Sequence, residues 1–203
     1  MTRIKLCGLT RMEDIEAANR LLPGYVGFVF AKRSRRCVSP AQAAELKKRL
    51  DKRIKAAGVF VDEKISTIAE LAEKGVIDII QLHGSEDEEY ISALRRRTDK
   101  PIIKAFVISS SDDAAKAERS GADYILLDGG RGEGTPFEWE VLDRIEREYF
   151  LAGGLNAENV GAAVRKLRPF AVDVSSGIET DGLKDYNKME AFIKAVRKED
   201  KDD

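Results

Sequence analysis

The chain has 203 residues, enough for one well-buried core, and no linker-like stretch divides it. Charged residues make up 35% and hydrophobic residues 43%, the former well above the roughly 25% of an ordinary globular protein, so the surface is densely ionic. The 35 Lys and Arg nearly cancel the 36 Asp and Glu, and nothing in this balance calls for a nucleic acid or an anionic membrane as partner.

The N-terminal stretch carries Arg3 and Lys5 inside its first apolar run, so it reads as a strand rather than a signal peptide, and a cytosolic protein is expected. No apolar run approaches the roughly 18 residues that cross a bilayer. From there β-branched runs alternate with amphipathic stretches. The first strand, 3–7, precedes a helix over 11–22, and the second, 25–30, precedes a helix over 40–50. Strands over 56–61, 76–82 and 101–106 are followed by helices over 64–74, 86–97 and 111–119. The sixth strand, 122–128, leads to a helix over 138–147, the seventh, 149–154, to one over 156–167, and the eighth, 170–175, to one over 185–196. Ser39 places a capping hydroxyl before Pro40 at a first helical position, and Asn156 is a second candidate cap. The charged tail, 198–203, is expected to fray.

A strand as continuously apolar as 25–30 suits a parallel sheet covered on both faces. Eight such strand–helix units of about 25 residues close into a single-domain (β/α)8 TIM barrel spanning 1–203, near the lower size limit of that fold. A doubly wound open sheet is the rival, though it ordinarily needs only about five or six strands.

In a barrel, chemistry belongs to side chains at the strand C-termini and the loops after them. By residue type alone Cys7 reads as a small buried hydrophobe, but it ends the first strand and is followed by the turn Gly8-Leu9-Thr10. Asp128 ends the apolar run Ile125-Leu126-Leu127, where a carboxylate is costly unless it has a partner or a task. Glycines 129, 130, 132 and 134 then give a loop suited to a lid or to a loose connection. Gly153 and Gly154 after strand seven, and Asp173, Ser175, Ser176 and Gly177 at the end of strand eight, occupy the two loops where barrels frequently bind phosphate. After strand two, Lys32, Arg33, Arg35 and Arg36 form a basic cluster that reads either as a solvated loop or as an attraction for an anionic substrate. His83 is the only histidine and neither builds a metal cluster nor completes a Ser-His-Asp triad. Cys7 and Cys37, the only cysteines, are expected to be free thiols, with Cys37 structural.

Taken together, Lys5-Leu6-Cys7-Gly8-Leu9-Thr10, Gly27-Phe28-Val29-Phe30, Ser34-Arg35-Arg36, Gln81-Leu82-His83-Gly84, Leu126-Leu127-Asp128, Gly153-Gly154-Leu155 and Asp173-Val174-Ser175-Ser176-Gly177 resemble the phosphoribosylanthranilate isomerase family in order and in place. The resemblance covers nearly the whole chain. It implies a cofactor-free, metal-free isomerisation of N-(5-phosphoribosyl)anthranilate to 1-(2-carboxyphenylamino)-1-deoxyribulose 5-phosphate in tryptophan biosynthesis, by a monomer or homodimer. Residue by residue it implies Cys7 as general base, Asp128 as general acid and Arg36 as the holder of the anthranilate carboxylate. His83, Gly153, Gly154, Asp173, Ser175, Ser176 and Gly177 then join the substrate site. Such a division of labour predicts a carboxyl at Asp128 raised from its usual range and a thiol at Cys7 lowered from about 8.5. Thr135 and Glu138 depart from the lysine and aspartate frequent in the family, and Cys37 from an aromatic residue.

Two other readings compete. A related barrel such as indole-glycerol-phosphate synthase works with lysine and glutamate at strand ends, for which Lys104 is the candidate amine. A non-catalytic phosphosugar-binding barrel keeps the phosphate loops without needing Cys7 and Asp128. A second aminoaldose substrate from histidine biosynthesis is a variant of the first reading.

Overall fold

The computed structural model describes residues 1–129, 139–142 and 145–200. Eight parallel strands run β1 Arg3–Cys7, β2 Tyr25–Val29, β3 Lys55–Phe60, β4 Ile79–Leu82, β5 Ile102–Val107, β6 Tyr124–Asp128, β7 Tyr149–Ala152 and β8 Ala171–Val174, and they form a closed barrel in chain order. The open-sheet rival is thereby excluded. Between them lie α1 Met12–Leu21, α2 Pro40–Arg49, α3 Ile65–Glu73, α4 Glu88–Arg95, α5 Ser111–Glu118 and α6 Val160–Leu167, and α7 Tyr186–Glu199 follows β8.

The caps show why the helices start where they do. Ser39 Oγ accepts from the Gln42 amide with Pro40 in the first helical position, as its sequence predicts. Asp87 and Asp185 cap α4 and α7 in the same way. Asn156 does accept amide protons, from Glu158 and Asn159, yet these close a separate turn and α6 begins only at Val160. The sixth predicted helix, 138–147, is a 3₁₀ turn over Trp139–Leu142, and its residues 138, 143 and 144 lie outside the described residues. The tail also differs from expectation. Helix α7 continues through Glu199, because the Asp200 carboxylate accepts from the Thr2 amide and from Arg197, which itself donates to the Thr2 carbonyl; residues 201–203 lie outside the description. A two-stranded antiparallel ribbon, β9 Glu179–Thr180 with β10 Leu183–Lys184, was not expected and stands between β8 and α7.

Alternation along each strand separates two cores. Outward residues such as Leu6, Phe28, Phe60, Ile80, Ile125 and Val172 pack under the helices against Ile15, Leu46, Ile68, Ile91 and Phe192. Inward residues Ala57, Ile79, Ile103, Leu126, Phe150 and Ala171 fill the barrel itself. At the strand N-termini Tyr25, Tyr124, Phe150 and Phe170 close the floor, with Tyr124 and Phe170 stacked at 5.0 Å and the Arg3 guanidinium 4.2 Å above the Phe170 ring. The floor is therefore apolar and sealed. Above it comes a polar layer of Lys5, Gln81 and Asp173, and above that an apolar rim of Cys7, Val29 and Val59.

Lys104 lies between the inward Ile103 and Ala105 and so points out of the barrel, where its ammonium donates to the Gly84 carbonyl at 2.7 Å and to Glu86 at 2.9 Å. Glu86 in turn accepts from the Asp62 and Gly84 amides, tying the β3 and β4 loops to β5. Both side chains are almost fully buried. Removing one partner strands the other charge. Lys104→Met is expected to lower stability by about 3–5 kcal/mol, measured as a shift of the urea unfolding midpoint at unchanged slope; a loss below about 1 kcal/mol would mean that the pair behaves as an exposed one.

Candidate active site

The register that closes the barrel also builds the site. Between β1 and β8, Lys5 stands across from Asp173, and between β1 and β2, Cys7 stands across from Gly27. A methyl group on Gly27 would come within 2.6 Å of Cys7 Sγ, so only glycine leaves room for the sulfur at this height. The Lys5 ammonium is wholly buried and lies 2.8 Å from Asp173 Oδ2.

The mouth opens into a cavity of about 820 Å³ lined by Cys7, Arg36, Gln81, His83, Asp128, Gly153, Gly154, Asp173, Ser175 and Ser176, with Val29, Val59, Val61 and Val107 as its apolar wall. This size suits a drug-sized or phosphosugar ligand. Nine of the ten predicted site residues line it; Gly177 is not among the lining residues, and its Cα faces the Leu155 carbonyl so closely that a methyl group would sit 1.9 Å from the oxygen. Of the basic cluster only Arg36 reaches the cavity, while Lys32, Arg33 and Arg35 are exposed. Lys104 is not a wall residue, so the amine-based reading loses its lysine. A second depression of about 710 Å³ lies between α3 and the segment after α4, lined by Glu70, Glu73, Arg97 and Lys100, and no strand end reaches it. The glycine-rich run from 130, with Thr135 and Glu138, lies outside the described residues.

Cys7 and Cys37 are both free thiols. Burial pushes the Cys7 thiol above its ordinary value, and Asp173 adds to this, while the ammonium groups of Lys5 and Lys184 oppose it. The expected lowering is thus reversed in the unliganded protein, because a thiolate at this depth loses more water than its neighbours replace. His83 is held below its ordinary value by burial, against the pull of Asp128, and so is neutral near pH 7. Its Nδ1 is 3.0 Å from the Gln81 amide nitrogen, which makes Nδ1 the acceptor and turns the Nε2 proton toward Asp128, whose Oδ2 is 3.7 Å away. Gln81 Oε1 and Asp173 Oδ1 are buried acceptors with no hydrogen-bond partner among the described residues, and both side chains face the cavity.

Sequence reasoning missed two residues that hold this site together. Glu179 grips Arg36 through two bonds, Nε to Oε1 at 2.6 Å and Nη2 to Oε2 at 2.7 Å, and also accepts from Lys184 at 2.6 Å. Lys184 further donates to the Ser175 carbonyl, and the Ser175 hydroxyl donates to the carbonyl of Cys7. Ser175 thus braces the strand end that carries the thiol. Burial works against ionisation of Glu179, yet the hydrogen bonds from Arg36 and Lys184 hold its carboxyl below the usual range. The signal was present in Glu179-Thr180-Asp181-Gly182-Leu183-Lys184: Asp-Gly between short runs is a hairpin turn, and both residues have positive φ, 51° and 79°. Glu179→Gln leaves two cations short of their acceptor. It is expected to lower stability by about 2 kcal/mol and to speed amide hydrogen exchange across 179–184; unchanged exchange there would show that the ribbon is held by other contacts.

The sequence model of the family described as N-(5'phosphoribosyl)anthranilate (PRA) isomerase matches residues 4–195. A curated N-(5'-phosphoribosyl)anthranilate isomerase from Caldanaerobacter subterraneus subsp. tengcongensis is 44% identical over 204 residues, covering 97% of this chain and 98% of its own. Among solved structures, phosphoribosyl anthranilate isomerase from Thermotoga maritima superposes with a TM-score of 0.88 at 36% identity, over 98% of this chain and 100% of that one. A phosphoribosyl anthranilate isomerase solved in complex with reduced 1-(o-carboxyphenylamino)-1-deoxyribulose 5-phosphate gives a TM-score of 0.85 at 36% identity, over 98% and 100%.

Proposed function

The chain belongs to the N-(5'-phosphoribosyl)anthranilate isomerase family and is an isomerase of tryptophan biosynthesis, and from this premise we propose that it performs the Amadori rearrangement of phosphoribosylanthranilate by general acid–base catalysis, with Asp128 as acid and Cys7 as base. The observation that carries the reading is that Cys7 and Asp128, from the ends of β1 and β6, face one cavity that the β7 and β8 loops and Arg36 also line. The product analogue bound by the relative of known structure fits the same chemistry.

Asp128 donates its proton to the furanose ring oxygen as the bond from that oxygen to C1′ breaks, which leaves a protonated Schiff base between C1′ and the anthranilate nitrogen. Cys7, as thiolate, takes the proton from C2′, and the electron pair released forms the C1′–C2′ double bond while neutralising the nitrogen. The enolamine then tautomerises to the ketone. No redox step or cofactor enters, and the Asp128 carboxylate and the Cys7 thiol exchange their protons back through solvent. The neutral His83, with its Nε2 proton toward Asp128, orients that carboxyl. Glu179 takes the Nε edge of Arg36 and leaves the Nη1 edge to grip the substrate carboxylate in a two-pronged pair. Gly153, Gly154 and Ser176 receive the phosphate, Gln81 and Asp173 line the inner end of the cavity toward the sugar, and the valines give the aromatic ring a dry wall.

Fresh phosphoribosylanthranilate should lose its anthranilate fluorescence rapidly with the natural protein. Cys7→Ala and Asp128→Asn should each cut kcat about 10²–10⁴-fold while ligand binding persists; a chain that binds without turnover, or variants that turn over normally, would favour the phosphosugar-binding reading. Because burial raises the thiol, kcat/KM should keep climbing with pH through about 8.5, and a plateau reached below pH 7 would place the base elsewhere.

A further inference from the structure

The mechanism needs a thiolate at Cys7, yet burial opposes one there. The charges facing the sulfur come from four elements: Lys5 beneath it on β1, Asp173 across the seam on β8, Lys184 on β10 and Arg36 in the loop after β2, with Glu179 of β9 bound to the last two. No charged side chain comes from the β2 or β3 residues packed against Cys7, which are Val29 and Val59. Three cations therefore surround two carboxylates. A neutral thiol leaves the cluster one positive charge in surplus, and a thiolate balances it.

The three cations are not equivalent. Lys184 and Arg36 share Glu179 through short bonds, and Lys184 also spends a donor on the Ser175 carbonyl. Lys5 has a single carboxylate oxygen at 2.8 Å, while the other oxygen of that carboxylate has no hydrogen-bond partner among the described residues. Lys5 is also among the largest completely buried side chains of the described residues. A lysine is seldom buried to this degree, and a pair of apolar residues would hold the seam at least as well as an ion pair, so packing does not explain the charge. On a strand, residues two apart share a face at about 6.6 Å between Cα atoms, which sets the flexible stem of Lys5 directly behind Cys7.

We propose that Lys5 is the positioning cation of this site: held across the barrel seam by Asp173, its ammonium stabilises the Cys7 thiolate on which the rearrangement depends. The proposal rests on the acid–base reading given above. Burial alone would depress Lys5, but Asp173 and Cys7 carry it above its ordinary value, so it stays charged wherever the enzyme works. Among the influences that favour the thiolate, Lys5 is the largest.

The test follows the pH dependence of Cys7 alkylation by iodoacetamide, read by mass spectrometry in a Cys37→Ser background, which needs no turnover. Lys5→Gln is expected to move the midpoint at least about one pH unit alkaline and to slow alkylation at neutral pH about tenfold. Lys5→Arg keeps the charge and should hold the midpoint near that of the natural chain, and the pH profile of kcat/KM should move in step with alkylation in every variant. If Lys5→Gln leaves the midpoint in place, or if Lys5→Arg moves it as far as Lys5→Gln does, the proposal is overturned and Lys5 is a packing residue. Should Lys5→Gln fail to fold around an unpaired Asp173, the comparison passes to Asp173→Asn against Lys5→Gln/Asp173→Asn, neither of which buries a lone carboxylate. There the double variant must be the less acidic of the two, and equal midpoints overturn the proposal. An inactive natural chain with these alkylation shifts intact would sink the isomerase reading and not the role of Lys5.

Discussion

The pairing of β1 with β8 is the contact on which the rest depends, because it turns a ribbon of eight strands into a closed barrel and in the same act creates the site. Its register sets Lys5 opposite Asp173 and, one step toward the mouth, brings the Cys7 carbonyl within reach of the Ser175 hydroxyl. A slip of one residue would exchange inward for outward side chains, sending Lys5 and Cys7 under the helices and Ile4 and Leu6 into the barrel. The ion pair resists such a slip, since a displaced register would bury two charges without partners, at a cost of several kcal/mol. Register, barrel closure and placement of the thiol are thus one decision.

The sealed floor has a complementary consequence. With four aromatic rings packed edge-on and face-on at the N-terminal end, a ligand reaches the interior from the mouth. The loops there are tied to one another rather than left loose: Glu86 joins the β3 and β4 loops to Lys104 of β5, and Glu179 joins the β2 loop to the ribbon after β8. Such cross-links hold Arg36 and His83 at fixed heights above the barrel, and positioning of this kind is what acid–base chemistry on a small substrate requires.

Much of this was legible in the sequence. The alternation of apolar runs and amphipathic stretches yields eight strands in their right places because parallel strands buried on both faces leave no other pattern, and Cys7, Arg36, Asp128 and the β7 and β8 loops meet in one cavity as the barrel rule requires. Boundaries drifted where a turn borrows buried apolar residues, as at Val76 and Ile77, which are buried yet precede β4. The ribbon was passed over because two-residue strands carry no periodicity, although Asp181-Gly182 marked its turn. Glu179 and Lys184 were invisible for a different reason: a charged residue in a loop looks solvated until its long-range partner, here Arg36 more than a hundred residues away, is known. The direction of the Cys7 shift was misjudged because sequence shows the neighbours of a thiol but not how much water it has lost.

The reversed shift also clarifies how such a site avoids spending its base before substrate arrives. A permanently ionised thiol at a barrel mouth would invite oxidation and alkylation, whereas burial keeps this thiol protonated at rest, with a surplus cation behind it. In the rearrangement proposed above, ring opening creates a positive Schiff base beside Cys7, which raises the local charge further and favours loss of the thiol proton. Asp173 works against Lys5 at the sulfur, so the thiol is not fixed as a thiolate. The same two residues that close the barrel therefore set how readily its sulfur ionises, which explains why a charged pair occupies a place that an apolar pair would fill with less loss of hydration.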